Sequence, residues 1–526
     1  MTVSHWIPSF LWTSLSNFSW MTWIAPLHRD LNAVTGFNNG LGVNPWPTFD
    51  WKVLLWDGDD PLVMPVFATL NKFLGALGSM AVVLALWYSN TYNTGYLPIN
   101  SNLIYNNRAT NYSTSSILRG SMLDEEEYEG YSPPYVSAGN IVKFTSFFAV
   151  YTATLTYAAL YQGPEIVRGT RSLFNSIVRR KADTEPVLVV DVHNRLMRRY
   201  AEAPEWWYLA ILLVATALGL AGTTAFETYT SPGVVFYGLA LSLLFAVPVS
   251  IVKSTTGIEV PLSVFTKFLG GAFVEGNALS MNYFTAFGHA TTARGVLFSE
   301  NLKLGLYVKI PPRQNFAAQI VATIVSASVC TGVLSYQMNH IEGVCTPEAE
   351  LSLYCRDTDS YFKSAVFWGS IGPRRIWGSG GLYTETLMGF PFGVVAVVVC
   401  YYLGKVKSVR ALWRGVHPVA MVYGGTLWAP HNMSYMWPAV PIAYVSWMYL
   451  RRRYLAMWSK YNYIFSAAFS CGVVITGIIV YFALQWRGVE ILWWGNEISS
   501  QGCEAKPCVL EELRDLEYFG PKITAA

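Results

Sequence analysis

Charged residues are scarce in this chain. Asp, Glu, Lys and Arg make up 13% of its 526 residues, whereas soluble proteins carry about 25%. Hydrophobic residues account for 52% and aromatic residues for 15%. This composition excludes a soluble globular protein and favours one that lies within a lipid bilayer. The formal net charge of +3 is too small to indicate a nucleic-acid partner.

Motifs of intramembrane and hydrolytic enzymes are also absent from the sequence. There is no His-x-x-x-x-His, no Gly-x-Ser-x-Gly and no pair of aspartates in a protease-like setting. We therefore predict that the chain is not an enzyme and has no catalytic residue, cofactor or metal site. Met1 leads directly into an apolar run without a basic segment or a small-residue cleavage site, so no cleavable signal peptide is expected.

Cysteines are few, and four of the seven form two closely spaced pairs. Cys345 and Cys355 share one polar segment, and Cys503 and Cys508 share another. If these segments face an oxidising space, the spacing predicts two local disulfides. Four unpaired thiols are the alternative if the sidedness is inverted. A metal site is the weaker interpretation, because no histidine lies at ligand spacing beside either pair.

Long hydrophobic runs dominate the rest of the chain, and ~20 apolar residues suffice to cross a bilayer. Ten runs of 13 to 24 residues are candidates, at residues 6–24, 65–88, 141–161, 207–226, 234–252, 316–337, 387–403, 416–428, 435–450 and 461–484. Three Gly-rich apolar stretches, 41–51, 260–293 and 367–383, favour re-entrant hairpins or discontinuous helices over ordinary loops. We predict one all-α, polytopic transmembrane domain over residues 1–526, with about 10–12 spans plus re-entrant or broken helices.

Charge predicts the sidedness, because basic residues mark the cytoplasmic side of a membrane. Residues 162–206 include eight Lys and Arg side chains and are predicted to form a cytoplasmic loop. Residues 90–140 carry the acidic run 124–127 and a glycosylation sequon at Asn111, which indicates a polar outer loop. Alternation then places the loop 339–363 and the tail 485–526 outside. The sequon and the outer cysteines favour the secretory route; the plasma membrane is the expected location, and an internal membrane is the alternative.

Ionisable residues within apolar stretches are costly, and each is a functional candidate by default. Glu275 lies in a Gly-rich stretch where a helix can break, so we consider a role in proton coupling; the alternative is a helix end that reaches an aqueous loop. His289 is a second candidate for proton coupling, because histidine as a residue type titrates near physiological pH, but a lone histidine in such a setting is more often a hydrogen-bonded packing residue. Asp50 is a third candidate for proton coupling, although Asp is also a common helix cap.

Six further residues are candidates for binding a substrate. Asn100 and Asn102 offer uncharged donors and acceptors that suit a peptide backbone, and Tyr96 and Tyr135 offer an apolar ring with a hydroxyl. The alternative for these four is a structured outer loop, in which Asn and Pro are turn residues.

The two cationic candidates are Lys267 and Arg374. Lys267 can hold a substrate carboxylate, pair with Glu275, or extend its amine to the membrane interface. Arg374 interrupts a Gly-rich apolar segment, which suits a gate or a clamp for a carboxylate.

Several multi-residue motifs along the chain resemble one family, the oligopeptide transporters. They are residues 93–102, 131–139, 191–200 with 204–207, 302–305 leading to 309–313, 368–369 with 371–374, 451–454 with 458–463, and 493–496. Residues 44–51 and 274–279 look most like the fungal branch. The match follows the family order over most of the chain, so it is a specific signal.

The resemblance implies a helical bundle of about 16 spans with internal repeats and a site near the midplane. It implies a proton-coupled secondary transporter that imports small oligopeptides, such as tetrapeptides, pentapeptides or glutathione-like compounds. The proton gradient would be the driving force, and the partners would be the peptide substrate and the lipid bilayer. Transport of metal chelates or siderophores is an alternative, since other branches of the family carry such compounds.

Two departures from the family pattern leave a further alternative open. The chain begins where family members are already several helices into the membrane, and it has Lys267 and Thr285 where the family commonly has an acidic and a basic residue. A truncated, non-transporting remnant, or a subunit that needs a partner, is therefore also considered.

Overall fold

The computed structural model describes residues 6–44, 48, 50–55, 60–120, 122–179, 192–274, 276–345, 356–489, 491–514 and 517–520. Helix accounts for 71% of the structure. The predicted fold class, an all-α transmembrane bundle, is confirmed.

Twenty-three α-helices are found among the described residues. They are α1 (Trp20–Ile24), α2 (Arg29–Thr35), α3 (Trp51–Leu54), α4 (Val66–Tyr88), α5 (Glu125–Tyr131), α6 (Ala138–Arg179), α7 (Val192–Met197), α8 (Glu205–Ala225), α9 (Gly233–Thr256), α10 (Ser263–Phe273), α11 (Ala278–Thr285), α12 (Thr291–Val308), α13 (Pro312–His340), α14 (Arg356–Ala365), α15 (Pro373–Trp377), α16 (Gly389–Leu403), α17 (Arg410–Trp413), α18 (Pro418–Gly424), α19 (Met433–Met436), α20 (Ala439–Tyr444), α21 (Arg451–Arg453), α22 (Leu455–Ala483) and α23 (Trp494–Glu497).

In the part of the chain that the structure describes, the strands are short and lie within the segment predicted as the polar outer loop. β1 (Ile104–Tyr105) pairs antiparallel with β4 (Tyr135–Val136), so that Tyr105 lies opposite Tyr135. β2 (Leu118–Arg119) pairs antiparallel with β3 (Met122–Leu123). The segment is therefore folded, and the pairing of β1 with β4 brings residues 104–105 next to residues 135–136.

Six helices in the described chain are long and apolar enough to cross a membrane: α4, α8, α9, α13, α22 and the segment Thr384–Leu403 that contains α16. Each coincides with a predicted run. The run 141–161 lies within α6, which is 42 residues long and continues to Arg179. The first part of the predicted cytoplasmic loop 162–206 is therefore helical. Pro164 lies inside this helix and does not end it.

Three predicted runs do not form continuous helices, and in each the sequence offers a reason. Residues 6–24 contain short turns and α1, because polar side chains such as Ser19, which donates to the Thr35 carbonyl oxygen, bond to other segments of the chain. Residues 416–428 form α18, which ends at a Gly-Gly pair ahead of a cis Ala429–Pro430 bond. Residues 435–450 are divided between α19, α20 and a π-helical turn, with prolines at 438 and 441 that lack the amide donor.

The described residues group into two compact units. The first comprises Met1–Ala158, Pro248–Val260 and Pro373–Ala526. Its helices α4 and α18 pack so closely that a side chain on Gly75 would lie 1.7 Å from the Met421 carbonyl oxygen. One on Gly424 would lie 2.1 Å from the carbonyl oxygen of Lys72. Only glycine permits this approach of two helix backbones.

The second unit comprises Ala159–Val247 and Pro261–Gly372. Here residues 260–293 were predicted to form a re-entrant hairpin or a discontinuous helix, and the structure has a break of that kind. Helices α10 and α11 are separated by a short connection in which Gly276 has φ +82°, a conformation that favours glycine. A π-helical turn, Ala286–Ala290, then joins α11 to α12.

Candidate functional site

A small cavity with charged walls lies inside the first unit. Its volume is about 20 Å³, which is room for one water molecule. It is lined by Leu54 of α3, by Asp60, Pro61 and Met64 ahead of α4, by Thr69 and Lys72 of α4, by Tyr435 and Met436 of α19, and by Ala439 of α20. Five segments of the chain therefore meet around one water-sized space.

Asp60 is 9% exposed and is hydrogen-bonded both within its own loop and to α22. One carboxylate oxygen accepts a hydrogen bond from the backbone amide of Leu62 at 2.8 Å. The other accepts from the hydroxyl of Ser466 on α22. One turn earlier on α22, the Asn462 side chain donates to the Leu62 carbonyl oxygen at 2.6 Å. The Asp60 carboxylate and its loop are thus fastened to α22.

Lys72 and Thr69 reach the cavity from one face of α4, since they are three positions apart. Lys72 is 4% exposed, and its ammonium nitrogen lies 5.0 Å from the ring centroid of Tyr423 on α18. That distance allows a cation–π interaction. Thr69 is 5% exposed, and its hydroxyl has no hydrogen-bond partner among the described residues.

A buried carboxylate, a buried ammonium group and an unsatisfied hydroxyl around one small space are costly to keep in an apolar unit. Such groups persist within membrane proteins mainly where they serve an ion or proton pathway. The cavity is too small for a peptide and large enough for a water that carries a proton. The larger groove along α13, about 780 Å³, is lined by Ala and Val side chains with Ser326 and offers no charged group.

Asn100 lies in the first unit, where its amide group is occupied by backbone. It is 2% exposed, its oxygen accepts from the Ala429 amide at 2.8 Å, and its nitrogen donates to the His431 carbonyl oxygen at 2.8 Å. Lys143 donates to the Ala429 carbonyl oxygen at 2.6 Å. The structure therefore places Asn100 as a clamp on the segment that contains the cis proline bond.

The two predicted tyrosines lie together, and Asn102 lies apart from them. Tyr96 stacks on Phe519 with ring centroids 4.9 Å apart, and Tyr135 meets the same ring edge-on at 4.7 Å. Tyr135 is 1% exposed, and burial raises the pKa of its hydroxyl. Asn102 is exposed. Among these candidates, Asn102 is the side chain that a solute can reach directly.

Arg374 is exposed, whereas Arg375 is half-buried. Arg375 forms an ion pair with Glu125 of α5, and its guanidinium carbon lies 5.3 Å from the Tyr128 ring centroid. Arg374, the predicted clamp residue, is therefore accessible, whereas Arg375 is held in an ion pair.

Lys267 lies in the second unit, on α10. Its ammonium group donates to the Ser364 hydroxyl at 3.0 Å and lies 5.4 Å from the ring centroid of Tyr361. Both partners belong to α14, so Lys267 joins these two helices. Thr285, the other departure from the family pattern, is buried and donates to the Met281 carbonyl oxygen at 3.0 Å.

The three residues predicted for proton coupling have different outcomes. Asp50 is 2% exposed, and its carboxylate accepts from the Lys52 amide at 2.9 Å at the start of α3. Asp50 therefore caps α3, which is the alternative role that we predicted for it from the sequence. His289 lies half-buried in the π-helical turn. Glu275 is outside the described residues.

Of the cysteines predicted to pair, Cys503 and Cys508 form a disulfide with a Cα–Cα distance of 5.1 Å. Cys345 is also disulfide-bonded, and Cys355 is outside the described residues. Cys330, Cys400 and Cys471 are free thiols. No group of three or more metal-ligating side chains occurs within the described ranges.

Sequence reasoning missed Asp60 and Lys72. Lys72 carried a usable signal, because it is a charge inside the predicted run 65–88 and such residues are rare in spans. Asp60 carried none, since it lies in a polar stretch between two apolar runs. Its burial depends on Ser466, which is 406 positions away.

An all-helical, multi-pass membrane protein with ionisable groups buried between its helices has the build of a secondary transporter. The chain belongs to the oligopeptide transporter family: the family model described as OPT oligopeptide transporter protein matches residues 1–484. This confirms the family resemblance, and the family is one of transporters rather than enzymes.

The relatives of the chain are fungal and plant proteins. Oligopeptide transporter 2 of Saccharomyces cerevisiae is 30% identical over 99% of this chain and 60% of its own length. The sexual differentiation process protein isp4 of Schizosaccharomyces pombe is 31% identical over 98% of this chain and 65% of its own. Glutathione transporter 1 of the same yeast is 29% identical over 98% of this chain and 59% of its own. The chain thus spans about 60% of the length of these relatives. No solved structure matches it significantly.

Proposed function

We propose that this chain carries out proton-coupled import of small oligopeptides, in the size range of tetrapeptides, pentapeptides and glutathione. The observation that carries the proposal is the family match over residues 1–484. Two relatives with matching names, an oligopeptide transporter and a glutathione transporter, support the substrate class. The plasma membrane is the proposed location.

The structure supports this proposal through the buried charges of the first unit. A carrier driven by protons needs a group that gains and loses a proton, and Asp60 and Lys72 line one water-sized cavity. The broken helices α10 and α11 give further support, since transporters build binding sites where membrane helices are interrupted.

The peptide-binding residues remain predictions from the sequence: Tyr96, Asn100, Asn102, Tyr135, Lys267 and Arg374. These residues differ in how far their side chains are exposed. Asn102 and Arg374 are exposed, and are the first to test for direct contact with a peptide. Asn100 and Tyr135 are buried and would act by shaping the segment around them.

Uptake of labelled glutathione and of a labelled tetrapeptide tests the proposed function. The chain is expressed in cells that lack their own carriers, and uptake is measured at about pH 5 and about pH 7.5, on either side of the histidine titration range. We expect greater uptake at the acidic pH. A proton ionophore should abolish that difference, and empty-vector cells are the control.

The alternatives give different results in the same assay. Surface-expressed protein with no uptake at either pH would contradict the proposal and favour a non-transporting chain or a subunit that needs a partner. Uptake of a ferric siderophore without uptake of peptide would favour the chelate alternative. A Glu275→Gln variant tests the proton-coupling prediction for that residue, and acid stimulation that persists in this variant would contradict it.

A further inference from the structure

We propose that Asp60 is the residue that binds and releases the coupling proton, and that the cavity beside it holds the water through which the proton arrives. This inference rests on the proposed proton-coupled transport. It assigns the proton site to the first unit and to a residue that the sequence did not single out.

The size of the cavity decides which solute it takes. Binding sites for drug-sized ligands have volumes of about 300–1,000 Å³, and a tetrapeptide is at least as large as such ligands. The space beside Asp60 is about 20 Å³. It excludes a peptide and accepts one water molecule, so the cavity serves the driving ion rather than the substrate.

The polarity of the walls favours occupation by water. The Thr69 hydroxyl lines the space and is without a hydrogen-bond partner among the described residues. A buried hydroxyl without a hydrogen-bond partner is energetically unfavourable. A water in the cavity would form a hydrogen bond with the Thr69 hydroxyl. The same water would bring its own oxygen toward the Asp60 carboxylate. A metal cation is disfavoured, because the Lys72 ammonium group lines the same walls.

The chemical step is a single proton transfer. A hydronium ion in the cavity gives one proton to the Asp60 carboxylate, which becomes a neutral carboxyl group and leaves a neutral water. Release is the reverse: the carboxyl O–H bond breaks as a water accepts the proton.

Protonation of Asp60 would be transmitted to α22. The carboxylate accepts the Ser466 hydroxyl proton from that helix, and a charge-assisted hydrogen bond is about twice as strong as a neutral one. A neutral carboxyl group therefore holds α22 less tightly. This provides a physical link between proton binding and movement of a long membrane helix.

Among the described residues, the titratable groups that line the cavity with Asp60 are Lys72 of α4 and Tyr435 of α19. Tyr423 of α18 lies next to Lys72. Asp50 is close enough to Tyr435 to act on it electrostatically. The proposal concerns Asp60 among these groups, because its carboxylate lies in the cavity wall and is bonded to α22, whereas the Asp50 carboxylate caps α3.

The test uses the full chain in proteoliposomes loaded with unlabelled tetrapeptide, with two measurements. One is uptake of labelled tetrapeptide driven by an acidic exterior; the other is exchange of labelled for unlabelled tetrapeptide with no gradient. For Asp60→Asn we expect gradient-driven uptake to fall by about a hundredfold, as for loss of a positioned proton-transfer group. Exchange should persist within about twofold, because it requires no net proton movement. Glu125→Gln, which removes an exposed carboxylate from an ion pair in the same unit, is the matched control and should change neither.

The outcomes separate this inference from the proposed function. Wild-type protein that shows neither uptake nor exchange contradicts peptide transport itself. If the wild-type protein shows proton-driven uptake and Asp60→Asn shows undiminished gradient-driven uptake, the assignment of Asp60 is wrong. The proposal of peptide transport is then retained. If Asp60→Asn does not fold, Thr69→Val replaces it, since this substitution removes only the hydroxyl that anchors the water. It should shift the external pH for half-maximal uptake at an unchanged melting temperature, and an unmoved pH profile would refute the proposal.

Discussion

At the scale of single residues, Asn100 and Asn102 show how neighbours with the same side chain receive opposite environments. The Asn100 amide is satisfied by the backbone of residues 429–431, whereas Asn102 is exposed. Both were predicted to bind substrate on the same chemical grounds. Their spacing of two positions in an irregular segment gave no basis for telling them apart.

Replacing Asn100 with alanine should destabilise the protein. The change leaves the Ala429 amide and the His431 carbonyl without their partner in a buried place, and we expect a cost of about 2–3 kcal/mol. Thermal unfolding in detergent measures it. Asn102→Ala is the control and should leave the melting temperature unchanged; a reduced peptide affinity in that variant would support contact with substrate.

Glu504 is a second buried group that only the structure revealed. It is 5% exposed and accepts from the amides of Phe37 and Asn38, each at 2.7 Å. Burial raises the pKa of its carboxyl, although these hydrogen bonds oppose the shift. The folded protein thus binds this proton more tightly than the unfolded chain. The resulting stability is full below the ordinary pKa of Glu and is lost as pH rises through the raised value.

The stability of the protein should accordingly show a Glu504-dependent step at pH values above the ordinary pKa of Glu. We expect the wild-type melting temperature to fall as pH rises through the raised pKa, and the step to be missing in Glu504→Gln. That variant should also be less stable by about 1–3 kcal/mol, because its amide nitrogen faces backbone donors. Glu511→Gln, an exposed change in the same tail, should keep the step. A step of equal size in Glu504→Gln would assign it to another group.

At the scale of elements, close packing in the first unit depends on where glycines fall. Gly75 and Gly78 are both on α4, three positions apart. A side chain on Gly75 would meet the Met421 carbonyl oxygen, while one on Gly78 would meet nothing within 4 Å. Helix propensity treats the two positions alike, so the difference arises from the contact with α18.

Gly75→Ala should separate α4 from α18 and destabilise the protein by about 1–3 kcal/mol, as overpacked sites do. Gly78→Ala should be neutral or stabilising by up to about 1 kcal/mol, because alanine favours helix. Melting temperatures of the two purified variants against wild type give the comparison. Equal losses in both would mean that the α4–α18 contact does not depend on backbone approach. Lys72 lies on the same face of α4 as Gly75, so Gly75→Ala should also lower gradient-driven uptake.

At the scale of the whole molecule, the sidedness predicted from charge can be measured directly. Lys506 in the tail and Arg171 in the basic segment are both exposed, and the charge pattern places them on opposite sides of the membrane. In intact cells, a membrane-impermeant maleimide should label Lys506→Cys and not Arg171→Cys. After permeabilisation it should label both. The reverse pattern would invert the topology and place Cys503 and Cys508 in the cytoplasm.

Much of the fold was predictable because membrane helices are specified locally. A run of about 20 apolar residues forms a helix in a bilayer whatever its neighbours are, and six runs coincide with spans such as α4 and α22. Runs with internal prolines or polar clusters, such as 435–450, were overestimated, because hydropathy averages over the residues that break a helix. The broken stretch 260–293 was predictable from its glycines.

The candidate site was predictable only in part. Lys72 is visible as a charge within an apolar run, but nothing local shows that it shares a cavity with Asp60 and Tyr435. Asp50 was predictable as a helix cap, since capping depends on the two or three residues that follow.

The sequence by itself determined that this chain is a helical membrane protein, where most of its spans lie and which family it belongs to. These properties follow from the order of apolar residues and from motifs that are short and local. The tertiary structure decided which polar groups are covered: it brought Ser466 to Asp60 and residues 429–431 to Asn100. Packing between segments hundreds of positions apart makes that selection, because a polar side chain becomes buried or remains exposed according to what is folded against it.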